Sequence, residues 1–176
     1  MTAKIYLDFN STHPPDKVAI ATGREFYLGH FANSSGLSLA SQQVNERIER
    51  AREEIAGLLC VGAQQIIFTS CATESNNLLV REFHSRNKSA TFRVLTSPFE
   101  HPSIAETLKR LDNTEIHAFR AEANGTIAAA HLREYIAQQF DLITLMAAQN
   151  ESGVLLPALE LMASLSACLL YTSRCV

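Results

Sequence analysis

The feature that most constrains the fold of this chain is a regular alternation of short apolar segments with longer helical patterns between residues 66 and 146. Four segments are predicted as strands: Ile66–Phe68, Phe92–Thr96, Glu115–Phe119 and Leu142–Met146. Helical patterns over 74–86, 102–111 and 131–140 separate them. Strands that alternate with helices pair in parallel, because each crossover helix returns the chain to the same edge of the sheet. The sequence therefore predicts an α/β fold, a three-layer sandwich with a mostly parallel sheet.

The residues before this alternation predict one more strand and two helices. Ile5–Asp8 is typical of a short strand, and Asp16 is placed to cap a helix that ends near Gly29. A second helix is indicated by an apolar stripe at spacings of four, three, four and three, formed by Val44, Ile48, Ala51, Ile55 and Leu58. Gly62 lies just beyond this helix, and Cys60 is expected to be a core residue.

Composition and charge exclude several classes of protein. The chain has 176 residues, 47% of them hydrophobic and 19% charged, which is typical of a globular domain. A net charge of -3 predicts neither nucleic acid nor an anionic membrane as a partner. No apolar run is long enough for a membrane span or a signal region, so we expect a cytoplasmic protein. The four cysteines form no CxxC pair, and no disulfide framework or metal site is predicted.

We interpret the last nine residues, Cys168–Val176, as having a different origin from the rest of the chain. They are identical to a translation of TGT CTC TTA TAC ACA TCT AGA TGT GTA, followed in frame by the stop codon TAA. That DNA resembles the transposase mosaic end of sequencing libraries joined to its own reverse complement. We therefore expect 168–176 to be a non-native tail and 1–167 to be the native part. The alternatives are a natural apolar end, or a genuine non-catalytic product such as a dimerising or decoy module.

Three polar segments follow predicted strands, where ligands bind in sheets of this kind. The first, Phe68–Asn77, joins a strand to a helix through small residues. The free N–H groups of the first helical turn, with the hydroxyls of Ser70 and Thr73, favour a phosphate group. The alternative is that one of these hydroxyls merely caps the helix.

The other two segments carry a histidine and a pair of amides. His101 follows a strand and precedes the helix-initiating Pro102, where it could stack on a ring or move protons, or simply cap the helix. Gln149 and Asn150 offer amide donors after the last strand, and Gly153 permits a turn there. The alternative for this segment is an ordinary polar turn.

Together the segments resemble the class V aminotransferase family, most closely its cysteine desulfurase branch. Thr69–Asn77 matches the family's T-S-G-A-T-E-S-[ND]-N except at Cys71, and Glu100–Ile104 matches E-H-x-[AS]-[VI]. Gln149–Gly153 matches N-N-E-x-G with one change, and Tyr6–Pro14 is similar to Y-L-D-x-x-A-T-T-P. The resemblance implies the incomplete large domain of a fold type I pyridoxal-phosphate enzyme.

The resemblance also implies roles for particular residues. Ala72 and Thr73 would bind the phosphate of pyridoxal 5'-phosphate through backbone N–H groups and the Thr hydroxyl. His101 would lie over the pyridine ring and assist proton transfer, which makes it the implied catalytic residue. Asn150 would donate to the phenolic oxygen of the ring, and the loop at residues 10–12 would line the substrate mouth.

The activity implied is release of sulfur from L-cysteine as an enzyme persulfide, with alanine as the second product. A selenocysteine lyase or another amino acid aminotransferase is the alternative within the family. The resemblance further implies a homodimer at full length, a sulfur-acceptor protein as a possible partner, and a place in iron–sulfur cluster assembly.

The chain departs from the family's pattern in four respects. No lysine in the chain matches the S-x-H-K that would hold the cofactor, so this chain alone is expected to be inactive. Cys71 replaces a glycine, which would be costly if the backbone there were left-handed. Gln149 replaces an asparagine, and Ser38 stands where the family has a histidine.

Overall fold

The computed structural model describes residues 5–7, 9, 12–128, 134–135 and 137–164. These residues fall into two compact units, residues 1–68 and residues 69–176. The predicted tail, 168–176, lies outside the described residues. So do residues 131–133 and 136 of the helix predicted over 131–140, of which 134–135 are helical and 137–138 form a turn.

In the first unit, helix α1 spans Lys17–Gly29, as the capping signal predicts. The Asp16 carboxylate accepts the N–H of Val18 at 2.7 Å and of Ala19 at 3.3 Å, which satisfies two of the donors that a helix start leaves free. At the other end, the N–H of His30 bonds to the carbonyl of Phe26. The helix buries none of its residues.

Helix α2 spans Leu39–Leu59 and confirms the second predicted helix. Its start is capped by Ser38, whose hydroxyl oxygen accepts the N–H of Ser41 at 3.1 Å. The predicted apolar stripe is only partly covered. Val44 is buried and Ile48 half-buried, whereas Leu58 is 85% exposed. Periodicity therefore predicted the helix correctly but overestimated the width of its buried face.

The end of α2 departs from the sequence-based expectation. Cys60, expected in the core, is exposed, and it adopts the left-handed backbone conformation with φ of 54°. Its N–H bonds to the carbonyls of Ala56 and Gly57, which closes the last turn of the helix. The left-handed conformation of Cys60, two positions before Gly62, ends the helix and leaves the Cys60 side chain in solvent.

Two predicted strands of the first unit are not strands. Residues 5–7 have no regular structure, and Asp8 lies outside the described residues. Before Ile66–Phe68 the chain makes a 3₁₀ helix, Ala63–Gln65, and Ile66 continues in an extended conformation. None of the described residues pairs with either segment. Because a strand needs a hydrogen-bonded neighbour, an extended apolar segment alone does not make one.

The second unit contains a three-stranded parallel sheet in the order β2-β1-β3. Strand β1 is Phe92–Thr96, as predicted; β2 is Thr114–Ala118, one residue earlier than predicted; and β3 is Leu142–Thr144, two residues shorter. In the registers, Val94 pairs with Ile116 on one side and Leu142 on the other. The parallel pairing predicted from the alternation is confirmed.

Helical layers cover both faces of this sheet. Helices α3, Ala72–Arg86, and α4, Pro102–Leu108, cover one face, where Val94 packs with Val80 and Leu108. On the opposite face, Leu95 packs with residues that include Leu161 of helix α5, Ala158–Ser164. Neighbouring residues of a strand point to opposite faces of the sheet, so Val94 belongs to one hydrophobic core and Leu95 to the other. The arrangement confirms the three-layer α/β fold.

Candidate functional site

Helix α3 begins at Ala72 with free backbone donors. The N–H of Ser75 is the first to enter the helical ladder, bonding to the carbonyl of Cys71 at 3.2 Å. The amides of Ala72, Thr73 and Glu74 precede it and form the positive end of the helix dipole. Within the described residues, the Thr73 hydroxyl makes no hydrogen bond. These donors suit an anion such as a phosphate group.

Cys71 stands immediately before these donors. Its φ is -168° and its ψ is 169°, an extended backbone, so the strain expected from replacing a glycine does not arise. The thiol makes no hydrogen bond that caps the helix. Its pKa is nevertheless lowered, first by the backbone N–H of Glu74 and then by the Ser70 hydroxyl. This helix end therefore stabilises negative charge, even on sulfur.

Ser70 is used differently from the sequence-based expectation. Its N–H and its hydroxyl both donate to Oε2 of Glu74, each at 2.6 Å. These two bonds lower the pKa of the Glu74 carboxyl, because both stabilise its ionised form. Since the Ser70 hydroxyl is engaged by this carboxylate, Thr73 is the side-chain donor left for an anion.

His101 is the residue that caps helix α4. Its Nδ1 accepts the backbone N–H of Ser103 at 3.1 Å and lies 2.8 Å from the Ser103 hydroxyl oxygen. The ring is exposed, and Nε2 has no hydrogen-bond partner among the described residues. The structure thus shows the capping role, and the other ring nitrogen stays available for chemistry.

A groove between α3 and α4 brings two of the predicted site residues together. Thr73 lines it from the start of α3, and His101 lines it from the start of α4. The groove also carries Asn77, Arg81, Pro102, Ser103, Glu106, Thr107 and Arg110. Asn150 is not among its lining residues.

Partly buried hydrogen bonds from Asn76 and Asn77 join α3 to α4 beside the two helix starts. The amide nitrogen of Asn76 donates to the Ser103 hydroxyl at 2.8 Å. Asn77 accepts a bond from the Thr107 hydroxyl at 2.8 Å and donates to the carbonyl of Thr73 at 3.0 Å. Sequence reasoning missed these contacts. The signal was present in two adjacent amides on a helix face that packs against another helix.

Asn150 lies in the turn that follows β3. Gly153 has a φ of 72° and donates its N–H to the carbonyl of Gln149 at 2.8 Å, so the predicted turn glycine is confirmed. The Gln149 side-chain oxygen accepts the N–H groups of Glu151 and Ser152, at 2.7 and 2.5 Å. The Gln149 amide therefore stabilises its own turn, and Asn150 stands exposed within that turn.

Glu100 is a site residue that sequence reasoning did not single out, although it belongs to the histidine motif. Its half-buried carboxylate accepts the N–H of Met146 at 2.9 Å, which ties the end of β1 to the segment after β3. Burial raises the pKa of Glu100. The Met146 N–H, the Ser97 hydroxyl and His101 act in the opposite direction, because each favours the ionised carboxylate, but burial has the larger effect. The carboxyl ends of β1 and β3, adjacent parallel strands, meet at this residue.

The described residues contain no group of three or more His, Cys, Asp or Glu side chains that could bind a metal ion. Among the same residues, no helix is both long and apolar enough to cross a membrane.

A family model for class-V aminotransferases matches residues 5–170. The chain belongs to this family. Among its relatives, the cysteine desulfurase IscS of Anaeromyxobacter sp. is 30% identical over 164 residues, which cover 92% of this chain and 41% of that protein. The cysteine desulfurase IscS of Vibrio cholerae is 34% identical over 161 residues, which cover 88% of this chain and 39% of that protein.

Solved structures agree with this assignment. A NifS-like protein superimposes with a TM-score of 0.84 at 27% identity, covering 92% of this chain and 45% of that chain. SspA, solved in complex with cysteine, gives a TM-score of 0.79 at 26% identity, covering 89% of this chain and 46% of that one. The chain thus spans about a third to two fifths of the length of the cysteine desulfurases it matches.

Class V aminotransferases and cysteine desulfurases depend on pyridoxal 5'-phosphate. The residues of this chain fit the phosphate end of that cofactor. They supply N–H groups at the start of α3 that lie outside the helical ladder, a Thr73 hydroxyl with no partner among the described residues, and an imidazole on the same groove. An anion and an aromatic ring are the groups that such donors accommodate.

Proposed function

We propose that this chain is the amino-terminal part of a pyridoxal-phosphate-dependent cysteine desulfurase, which releases sulfur from L-cysteine as an enzyme persulfide and forms alanine. The observation that carries the proposal is the groove on which the uncapped start of α3 and the imidazole of His101 meet. When bound, the cofactor would supply an electron sink for bond cleavage at the substrate.

The chain's own residues would bind and orient. The N–H groups of Ala72 and Thr73, with the Thr73 hydroxyl, would hold the phosphate, and no buried countercharge is required because the helix end is itself positive. His101 would lie over the ring and exchange a proton at Nε2. Asn150, in the turn after β3, would donate to the phenolic oxygen of the ring.

The same proposal covers the rest of the protein. Residues 1–167 would be the native amino-terminal part of the domain, and 168–176 a tail derived from library DNA. A homodimer, a sulfur-acceptor protein, a place in iron–sulfur cluster assembly and a cytoplasmic location accompany this function, and all four are predictions.

The test is to read unfragmented DNA across codon 167, express the complete protein and measure alanine and sulfide formed from L-cysteine. We expect both products, an S-x-H-K motif downstream, and loss of activity on His101→Ala. Thr73→Val should raise the cofactor concentration needed for half-maximal activity, while Thr114→Val, the same change at the amino-terminal end of β2, should not. Absence of the lysine motif would contradict the proposal. Products from selenocysteine or from an amino acid and a keto acid, but none from cysteine, would favour the other family activities.

A further inference from the structure

A short chain of hydrogen bonds runs from the phosphate-side helix to the ring of His101. The amide nitrogen of Asn76, in α3, lies 2.8 Å from the Ser103 hydroxyl oxygen, in α4. That oxygen lies 2.8 Å from Nδ1 of His101, and the backbone N–H of Ser103 reaches the same Nδ1 at 3.1 Å. Two groups of one residue therefore converge on one ring nitrogen.

The directions of these bonds follow from which groups can donate. A backbone N–H only donates, so Nδ1 of His101 must accept and can carry no proton. The Ser103 hydroxyl accepts from the amide nitrogen of Asn76, which leaves its own proton for Nδ1. Exchanging the oxygen and nitrogen of the Asn76 amide would alter the second bond but not the first, because the Ser103 N–H still requires Nδ1 as an acceptor.

We propose that Ser103, held in place by Asn76, is a positioning residue that fixes His101 as the neutral tautomer with its proton on Nε2. A neutral imidazole carries one N–H, and with Nδ1 occupied as an acceptor that N–H is at Nε2. The catalytic meaning of this inference rests on the proposed function: His101 would enter the reaction as a proton donor at Nε2 and would accept there only after giving that proton up.

Burial of Ser103 favours its hydrogen bond to His101 over a hydrogen bond to water. Ser103 is 7% exposed, so water competes poorly for its hydroxyl, whereas His101 is an exposed residue. The same helix offers a matched control in Thr107, a hydroxyl residue 4% exposed, which bonds to the Asn77 amide and the Ser103 carbonyl but not to the ring.

The first test is ¹⁵N NMR of this chain with labelled histidine, at a pH where the imidazoles are neutral. His101 should show an unprotonated Nδ1 and a protonated Nε2, whereas His30, whose ring makes no hydrogen bond among the described residues, should average both tautomers. Ser103→Ala removes the hydroxyl but keeps the backbone N–H, so it should move the His101 signals only part of the way towards those of His30, and Ser103→Thr should restore them. Thr107→Val should leave them unchanged.

A protonated Nδ1 in the wild-type spectrum would overturn the inference, and this result needs no variant to fold. Unchanged His101 signals in a folded Ser103→Ala chain would overturn the role of the hydroxyl. Asn76→Ala, which keeps the hydroxyl but releases it, should give signals between the two, and signals identical to wild type would remove Asn76 from the mechanism.

The second test uses the complete protein. Ser103→Ala should lower kcat with little change in KM, by less than the roughly 100-fold loss expected on removing a proton-transfer group in His101→Ala, and Ser103→Thr should recover it. If the NMR tautomer holds but no cysteine is turned over, the proposed function fails and the tautomer stands. If turnover is present and Ser103→Ala leaves kcat unchanged, the positioning role fails alone.

Discussion

The two units of this molecule contain helices of similar pattern in very different surroundings. In the second unit, α3 and α4 pack on a parallel sheet, and Val80, Val94 and Leu108 are buried in one core. In the first unit, α1 buries nothing and α2 buries only Ser41, Val44 and Ala56. Tyr27 and Leu58, large apolar residues of α1 and α2, are 86% and 85% exposed. An amphipathic pattern therefore predicts a helix but not what covers it.

The first prediction compares one substitution in both units and carries the largest expected effect. Leu95→Ala should lower the free energy of unfolding of the second unit by about 2–5 kcal/mol, because it opens a cavity in a closed core. Leu58→Ala should change stability by less than about 0.5 kcal/mol, because its side chain is exposed. Urea unfolding followed by amide exchange in each unit measures both. Equal losses would show that α2 is covered in solution.

The second prediction compares helix caps. Asp16→Ala should destabilise α1 by about 1 kcal/mol, because the carboxylate satisfies two N–H groups and no core holds the helix. Cys71→Ala should change α3 little, since the thiol makes no complete capping bond and the helix is packed on the sheet. Exchange rates of the first-turn amides provide the measurement. A larger increase in first-turn exchange from Cys71→Ala in α3 than from Asp16→Ala in α1 would contradict this prediction.

The third prediction concerns pH and the second unit. Burial raises the pKa of Glu100 above its ordinary value of 4.5, so the folded chain holds this proton more tightly than the unfolded chain. The contribution of Glu100 to stability is therefore fully present below pH 4.5 and is lost as the pH rises through the raised value. Glu100→Gln should remove this loss, as measured by urea midpoints at a series of pH values, and Glu151→Gln is the exposed control. Parallel profiles for Glu100→Gln and wild type would contradict it.

The smallest expected effect separates the two exposed thiols, Cys60 of the first unit and Cys71 of the second. The Glu74 N–H and the Ser70 hydroxyl lower the pKa of Cys71. A larger fraction of its thiol is therefore ionised at neutral pH than in a cysteine of ordinary pKa. Iodoacetamide should label Cys71 a few-fold faster than Cys60, as followed by peptide mass spectrometry. Inorganic phosphate should slow only the labelling of Cys71, and equal slowing of both would argue against an anion site at α3.

Prediction from sequence worked best where neighbours were close along the chain. Strand β1 was predicted to the residue, because Phe92, Val94 and Leu95 form a short, mostly apolar segment of a buried central strand, and α1 followed from its cap. Ile66–Phe68 was wrong as a strand, because pairing depends on a partner that periodicity does not specify. Cys60 was wrong as a core residue, because a left-handed helix end overrode its apolar character.

The candidate site shows the same division. The three segments could be located from sequence, since strand ends and helix starts are local features. The roles of Ala72, Thr73, His101 and Asn150 were implied by the family resemblance and stay predictions. The capture of Ser70 by Glu74, the link from Glu100 to Met146 and the path from Asn76 to His101 could not be predicted from sequence. Each of these depends on how side chains of separate turns and helices meet, which spacing along the chain does not encode.

An NMR titration of this chain with pyridoxine 5'-phosphate and, separately, with pyridoxine tests whether the start of α3 binds the cofactor phosphate. Neither compound has an aldehyde, so neither reacts with lysine, and the phosphate is their only difference. We expect the phosphorylated compound to shift the amide signals of Ala72, Thr73 and Glu74, and pyridoxine at equal concentration to leave them in place. Equal shifts from both compounds, or shifts that leave these amides unmoved, would contradict this prediction.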